Sequence, residues 1–303
     1  MDYYYSFNKY LRKTFSTKVH RIGLNAGFTC PNRDGTLSRD GCIFCNEKGF
    51  SHFAGTALPL KTQIETSMDF LKDRFNAEKF IAYFQNATNT YAPIDKLRES
   101  YDTIRSFPDI VGLYISTRPD CIDREKLDLI ESYSGDYDVW IEYGVQSAHD
   151  ATLEKMGRSH TFSQSLNAIK ETSRRKIKVG AHVILGLDKE TKEDVIHTAE
   201  TLAKLPISGV KFHALHVLRD TRLERLFKKG DIALPELSQY VGLVCDFMER
   251  LSPECVILRL VSDAKKEVLV APGWINGKQA VIEEVKNEFK RRMTRQGVYY
   301  RPV

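Results

Sequence analysis

"KFIAYFQNATNTYAPIDKLRESYDTIRSFPDIVGLYISTRPD", residues 79–120, sets two short apolar runs (79–84 and 110–116) on either side of a segment where Leu97, Tyr101 and Ile104 recur at helical spacing. Near-continuous apolar runs are the pattern of strands buried on both faces, and a helix crossing between two such strands makes them parallel. The unit repeats along the chain. Strands are expected at HRIGLN (20–25), DVWIEYGV (138–145), IKVGAHVILGL (177–187) and SGVKFHALHVL (208–218), and helices over 61–75, 94–107, 123–133 and 191–205. Alternation at about 30 residues per unit predicts an α/β protein. Six strands are too few for a closed eight-stranded barrel, so the economical architecture is a partial, TIM-like (β/α)6 barrel with its chemistry at the carboxyl ends of the strands. Thr221 and Glu224 form a capping-box start for a further helix, which Gly230 would stop.

The pattern changes after residue 235. PELSQYVGLVCDFMERL (235–251) is amphipathic, CVILRLV (255–261) reads as a short strand, and KQAVIEEVKNEFKRRM (278–293) as a second amphipathic helix. The stretch between them, 262–277, has the Gly and Pro punctuation of a loop. The expected organisation is an N-terminal arm (1–20), a barrel (15–235) and a small α/β C-terminal extension packed on it (236–303).

With 303 residues and 42% hydrophobic content, the chain can bury a large core. No apolar run reaches the roughly 18 residues of a membrane span, and the N-terminus lacks the apolar centre of a signal peptide, so a cytoplasmic protein with no membrane partner is expected. The net charge of +5 permits an anionic partner without demanding one. Bases gather in SRRKIK (173–178) and, interleaved with aromatics, in KNEFKRRMTRQGVYYR (286–301); a solvated helix face explains either as well as nucleic-acid binding does. Tyr3, Tyr4 and Tyr5 suit either base stacking or a packed arm.

Of six cysteines, Cys30, Cys42 and Cys45 share one polar, Gly-containing loop, whereas Cys121, Cys245 and Cys255 are scattered and read as buried thiols. Zinc would need a fourth ligand, which His52 or His20 would supply in a Cys3His set. A four-iron, four-sulfur cluster held by three thiolates instead keeps one iron open to a small molecule.

Three cysteines after the first strand of a partial barrel, with Phe44 just before the last, resemble the radical S-adenosylmethionine (SAM) enzymes. The spacing departs from the commonest pattern of that family, since eleven residues separate Cys30 from Cys42. VILGL (183–187) resembles the family's fifth-strand segment, and TRPD (117–120), E-x-GVQS (142–147) and R-x-HT (158–161) follow in the order found in the radical SAM domain of the Elongator catalytic subunit, which modifies tRNA. The long cysteine spacing and VLVAPGW (268–274) are similar to the bacterial YhcC/YtqA-type group.

The resemblance implies one [4Fe-4S] cluster on Cys30, Cys42 and Cys45, with SAM on its open iron giving a 5′-deoxyadenosyl radical. It implies Phe44 and Ile184 beside the adenine, and Thr88, Asn89 and Thr90 in place of the family's glycine-rich contact to the SAM amino group. Glu142 and Gln146, on one face of a strand, would contact the SAM ribose or carboxylate; an ion pair is the alternative for Glu142. Arg118 would orient the SAM carboxylate or a substrate anion, or form a structural salt bridge. Arg158 and His160 would bind the SAM carboxylate or a phosphate, or cap a helix. His213 and His216, three apart on a strand, would fall on opposite faces, a poor metal pair, and read as core or substrate-pocket histidines. The implied partners are tRNA and a reductant such as flavodoxin or ferredoxin. The implied reaction is remodelling of the wobble uridine, from carboxymethylaminomethyl-uridine to aminomethyl-uridine. A radical enzyme acting on a small molecule is the alternative, and a non-catalytic zinc or nucleic-acid adaptor a further one.

Overall fold

The computed structural model describes residues 2–46, 58–262 and 264–302. The chain opens with helix α1 (Phe7–Phe15) and strand β1 (Val19–Leu24), followed by α2 (Leu60–Phe75), β2 (Lys79–Phe84), α3 (Ile94–Asp102) and β3 (Ile110–Thr117). Next come α4 (Arg124–Glu131), β4 (Asp138–Gln146), α5 (Asp150–Lys155), α6 (Phe162–Ser173), β5 (Lys178–Leu185), α7 (Lys192–Ala203) and β6 (Gly209–Ala214). The remainder holds β7 (Val217–Leu218), α8 (Arg222–Lys228), α9 (Leu237–Met248), β8 (Val256–Arg259), β9 (Leu269–Ala271) and α10 (Lys278–Arg292).

Among the described residues, β1 to β6 pair in chain order and β8 adds beyond β6, all parallel. Six strands were expected; the seventh comes from the segment read as an extension. The sheet curls into a half-barrel. Lys211 of β6 touches the Tyr83 hydroxyl of β2 at 2.6 Å, although a flat sheet would hold those strands about 19 Å apart. Helices α2 to α7 cover the outside, and α9 and α10 continue that layer: Val241, Val244, Phe247, Val285 and Phe289 belong to the same apolar core as the outer faces of the strands. The capping boxes of α6 (Thr161 with Gln164) and α7 (Thr191 with Asp194) start those helices where chain direction reverses.

The N-terminal arm closes the lower end of the barrel. Tyr10 and Leu11 of α1 pack inside it against Tyr114, Trp140 and Leu258, and the Tyr10 and Tyr114 hydroxyls both donate to Asp138. Tyr3 stacks on Phe289 with ring centroids 5.9 Å apart; of the two readings of the N-terminal tyrosines, packing fits Tyr3, Tyr4 and Tyr5. The expected strand 208–218 stops at Ala214, and its last residues form β7, which pairs antiparallel with β9 inside the segment read as a loop. No helix among the described residues is long and apolar enough to cross a membrane.

Candidate functional site

The carboxyl ends of the strands surround a cavity of about 450 Å³, within the size range of small-molecule sites. Cys30, Cys42 and Cys45 all line it, together with Phe28 and Phe44. Their loop is fixed from both sides. Ile43 donates its N–H to Met156 and accepts from Leu223, and its side chain packs with Met156, Ile184 and Leu223. Gly157, at φ +66°, lets the chain after α5 pass close to the loop, since a Cβ there would lie 3.2 Å from the Gly41 carbonyl.

Two polar side chains steady Cys42. Arg158 Nη1 lies 3.3 Å and Asn32 Nδ2 3.5 Å from its sulfur, while Arg158 Nη2 donates to the Gly144 carbonyl at 2.8 Å. Gly144 leaves room for this contact, since a Cβ there would lie 2.9 Å from that Nη2 and displace it. Asn32 is held by Ser159 and the Gly157 carbonyl, and Arg33 donates to the Cys45 carbonyl. Burial, then the neighbouring Cys42 thiol, pushes the Cys45 thiol up to about 11. Three thiols gathered at one cavity, Cys45 among them held up by burial, suit a cationic group that holds all three as thiolates. Among the described residues no three His, Cys, Asp or Glu side chains close around a single metal ion. His20 stacks on Phe75 at the start of β1, away from the cysteines, so it completes no Cys3His set; His52 lies outside the described residues.

Buried donors and acceptors around the cavity lack partners. Thr88 Oγ1, Arg118 Nη1 and Arg158 Nε are among them, and such groups are costly unless a ligand satisfies them. They fit a polar, charged ligand beside the thiols. Of the three residues expected to replace the glycine contact, Thr88 alone lines the cavity. Asn89 is tied to the Asn86 and Ser116 carbonyls, and Thr90 to Thr117 and the Cys121 carbonyl. The turn that approaches the cavity lies two residues earlier, at Asn86 and Ala87, both left-handed with φ 74° and 51°. This backbone is one glycine would favour.

Of the two readings made for Arg118, the salt bridge is the one seen. It forks onto Asp120 at 2.9 and 2.8 Å, donates to the Arg158 carbonyl, and keeps Nη1 for the cavity. Arg158 is committed to Cys42 and Gly144, so the expected anion contact falls to its Nε alone. His160 does not line the cavity, and burial, then Arg158 and Arg118, drives it down to about 3; a neutral ring cannot hold a phosphate by charge. Ile184 packs with Ile43 under Phe44 and is one layer removed. Gln146 ends β4 at φ 69° and faces the cavity.

Glu142 lies beneath the cavity, fully buried. Its Oε2 accepts from Tyr83 at 2.9 Å, His182 at 2.6 Å and Lys211 at 2.8 Å. The ion pair foreseen with an arginine is made with Lys211, Arg21 standing 3.9 Å from Oε1; Oε1 itself has no hydrogen-bond partner. Tyr83, His182 and Lys211 line the cavity and were missed in sequence. His213 and His216 line it too, since β6 ends between them, which corrects their assignment to opposite faces.

Residues 27–202 match the Radical SAM superfamily and residues 207–291 the Radical_SAM C-terminal domain. The chain belongs to the radical SAM superfamily, whose enzymes use a [4Fe-4S] cluster and SAM. It is 40% identical over 296 residues to the uncharacterized protein MJ0486 of Methanocaldococcus jannaschii, covering 96% of this chain and 90% of that one. It is 34% identical over 298 residues to the uncharacterized protein YtqA of Bacillus subtilis, covering 98% and 92%. The fold is shared with the archaeal Elp3 of Methanocaldococcus infernus (TM-score 0.66, 15% identity), over 92% of this chain and 64% of that chain.

Proposed function

We propose that this radical SAM enzyme holds its cluster on Cys30, Cys42 and Cys45 and SAM against Phe44, Thr88, Arg118 and Gln146, and that it remodels the side chain of the wobble uridine in tRNA. When bound, the cluster and SAM supply one-electron chemistry that removes hydrogen from an unactivated carbon. The observation that carries the reading is the convergence of three thiols and unpartnered buried donors in one cavity at the carboxyl end of a half-barrel. Arg158 and Asn32 steady the Cys42 sulfur, Phe28 and Phe44 supply apolar faces for a purine, and α1 below and the loops above limit water.

The substrate reading draws on the STRPD, IEYGVQS and GRSHT motifs, which resemble those of the Elongator catalytic subunit. Converting carboxymethylaminomethyl-uridine to aminomethyl-uridine would take one hydrogen atom and one further electron from the CH2 flanked by nitrogen and carboxylate, with SAM, cleaved to methionine and 5′-deoxyadenosine, as the two-electron oxidant; water would then split the resulting imine into the aminomethyl group and glyoxylate. The RNA-binding face is smaller than the sequence suggested. Arg292 is tied to Asp246, Glu249 and Glu288, leaving Lys290, Arg295 and Arg301 as the bases of that region for phosphates. A flavodoxin- or ferredoxin-type reductant in a reducing cytoplasm would supply the electron.

The test is anaerobic reconstitution with iron and sulfide, then incubation with SAM, dithionite and bulk tRNA from cells lacking the gene. Nucleoside mass spectrometry should show carboxymethylaminomethyl-uridine lost in step with 5′-deoxyadenosine formed. Deoxyadenosine without a nucleoside change would move the substrate to a small molecule, and absence of any cluster would overturn the reading.

A further inference from the structure

The cysteine loop meets the surface at α8. Leu223 of that helix donates its N–H to the carbonyl of Ile43, which lies between Cys42 and Cys45, and Leu223, Leu226 and Phe227 pack with Ile43 and Phe44. From Cys45 the way out is one residue and one hydrogen bond, since Asn46 Nδ2 reaches the Arg219 carbonyl at 3.5 Å. The outer face of α8 is basic. Residues 219–231 hold five bases against three acids, and Arg222, Arg225 and Lys229, all exposed, stand at i, i+3 and i+7, one stripe of a helix. Arg225 and Lys229 make no ion pair among the described residues. Arg222 makes one, 3.7 Å from Asp40 of the cysteine loop with both side chains exposed, a pair of little strength. Glu224, the acid within the helix, is turned to Lys228 at 2.8 Å. No residue of α8 lines the cavity, so the stripe backs onto the thiols without belonging to the ligand site.

We infer that this face receives the reductant: a small acidic one-electron carrier docks on Arg222, Arg225 and Lys229 and passes its electron inward through the segment from Ile43 to Asn46. The inference rests on the radical SAM reading and adds the place of a partner which that reading leaves unplaced. The carrier is oxidised by one electron and the group on the thiols reduced by one; no bond forms or breaks. Electron transfer weakens steeply with distance, so the donor has to settle where the cover over the cysteines is thin, and the cavity side is taken by SAM and substrate. Encounters of this kind are small and held by charge more than by buried area, which is what three exposed cations offer. A tRNA is drawn to cations too, but its reacting base must reach the cavity, to which α8 contributes no side chain.

The test is calorimetric binding of oxidised flavodoxin, and of ferredoxin in parallel, to the reconstituted enzyme at low salt. Wild type should bind at least one of them, and R222E/R225E/K229E should weaken that binding at least tenfold. R225E/K229E, which spares the pair between Arg222 and Asp40, should move in the same direction, and carries the test if the triple variant loses its cluster. Reduction by the photoreduced carrier should slow alongside, while 5′-deoxyadenosine formation driven by dithionite stays at the wild-type level. K290E/R295E, which changes the net charge as much as R225E/K229E does, should keep the carrier affinity. No binding of either carrier by wild type, an affinity that survives the substitutions, or an equal loss in K290E/R295E overturns the docking face; tRNA binding lost with carrier affinity kept would give the face to tRNA. Failure of the radical SAM reading shows separately, as wild-type enzyme with no visible cluster absorbance and no 5′-deoxyadenosine under dithionite.

Discussion

The guanidinium of Arg158 lies 3.3 Å from the sulfur of Cys42 while its other nitrogen holds the Gly144 carbonyl at 2.8 Å, so one side chain ties the cysteine loop to the end of β4. Outer partners of metal ligands set both affinity and potential. R158M should lower cluster occupancy or SAM cleavage about 10- to 100-fold. Loss of a cationic donor to sulfur should also make the cluster potential more negative. Iron content and a redox titration of the purified variant check both.

Five of the six cysteines should divide sharply. C30A, C42A and C45A should each lose iron and reduce 5′-deoxyadenosine formation to background. Cys245 and Cys255 are buried away from the cavity, with burial pushing both thiols up to about 12; C245A and C255A should keep the cluster and lose only about 1 kcal/mol of stability. Iron analysis and urea midpoints on the same preparations separate the two groups.

Two adjacent left-handed residues at the cavity edge make the backbone itself testable. Ala87 at φ 51° carries a strain of about 1–2 kcal/mol that glycine would not. A87G should leave SAM binding intact with stability unchanged or slightly raised, whereas A87V, β-branched at positive φ, should lower the urea midpoint by about 1–2 kcal/mol and weaken SAM binding. Tight SAM binding by A87V would show that this turn does not hold the ligand.

Acid should find out His160. Its folded pKa is lowered to about 3, by burial and then by Arg158 and Arg118, against about 6.5 unfolded. Between those values the unfolded chain binds the proton and the folded one does not, so stability falls as pH drops below about 6.5, by up to about 1.4 kcal/mol per pH unit from this group. H160N should flatten that slope. Urea midpoints at neutral pH and in mild acid, for both proteins, give the comparison.

The bases of α10 and of the segment after it should separate by role. Arg292 is 22% exposed and pairs with Asp246, Glu249 and Glu288, themselves nearly buried. R292Q should therefore cost about 1–2 kcal/mol of stability, discounted from a fully buried pair for its solvent contact. R295Q and R301Q should leave the urea midpoint unmoved. On the proposed tRNA reading, each should instead reduce the salt dependence of tRNA binding by roughly one phosphate contact.

The alternation of apolar runs with helical spacing was enough to read the parallel half-barrel, because strands buried on both faces leave no ambiguity about where they lie. The seventh strand was harder. Val256–Arg259 is four residues long, too short for any period to reveal which edge it joins. The cysteine loop was legible as a cluster of thiols, but its supports were not: Asn32 reads as a turn residue and Arg33 as a surface charge until folding brings the strand ends together. Thr88, Asn89 and Thr90 were chosen for position; Thr88 does line the cavity, with Asn86 and Ala87 before it, whose left-handed backbone no glycine announces. A signal for Lys211 was present. In VKFHA (210–214), Lys211 and His213 share one face of a strand whose other face is apolar, the sign of a polar lumen in a sheet otherwise buried on both sides.

With α1 stoppering one end, the barrel is a cup and not a tube. What enters the cavity is thereby left to approach from the side of the strands' carboxyl ends, where the cysteine loop lies. Were the substrate tRNA, as proposed, a polymer resting on that side would hold the small products beneath it until it lifts.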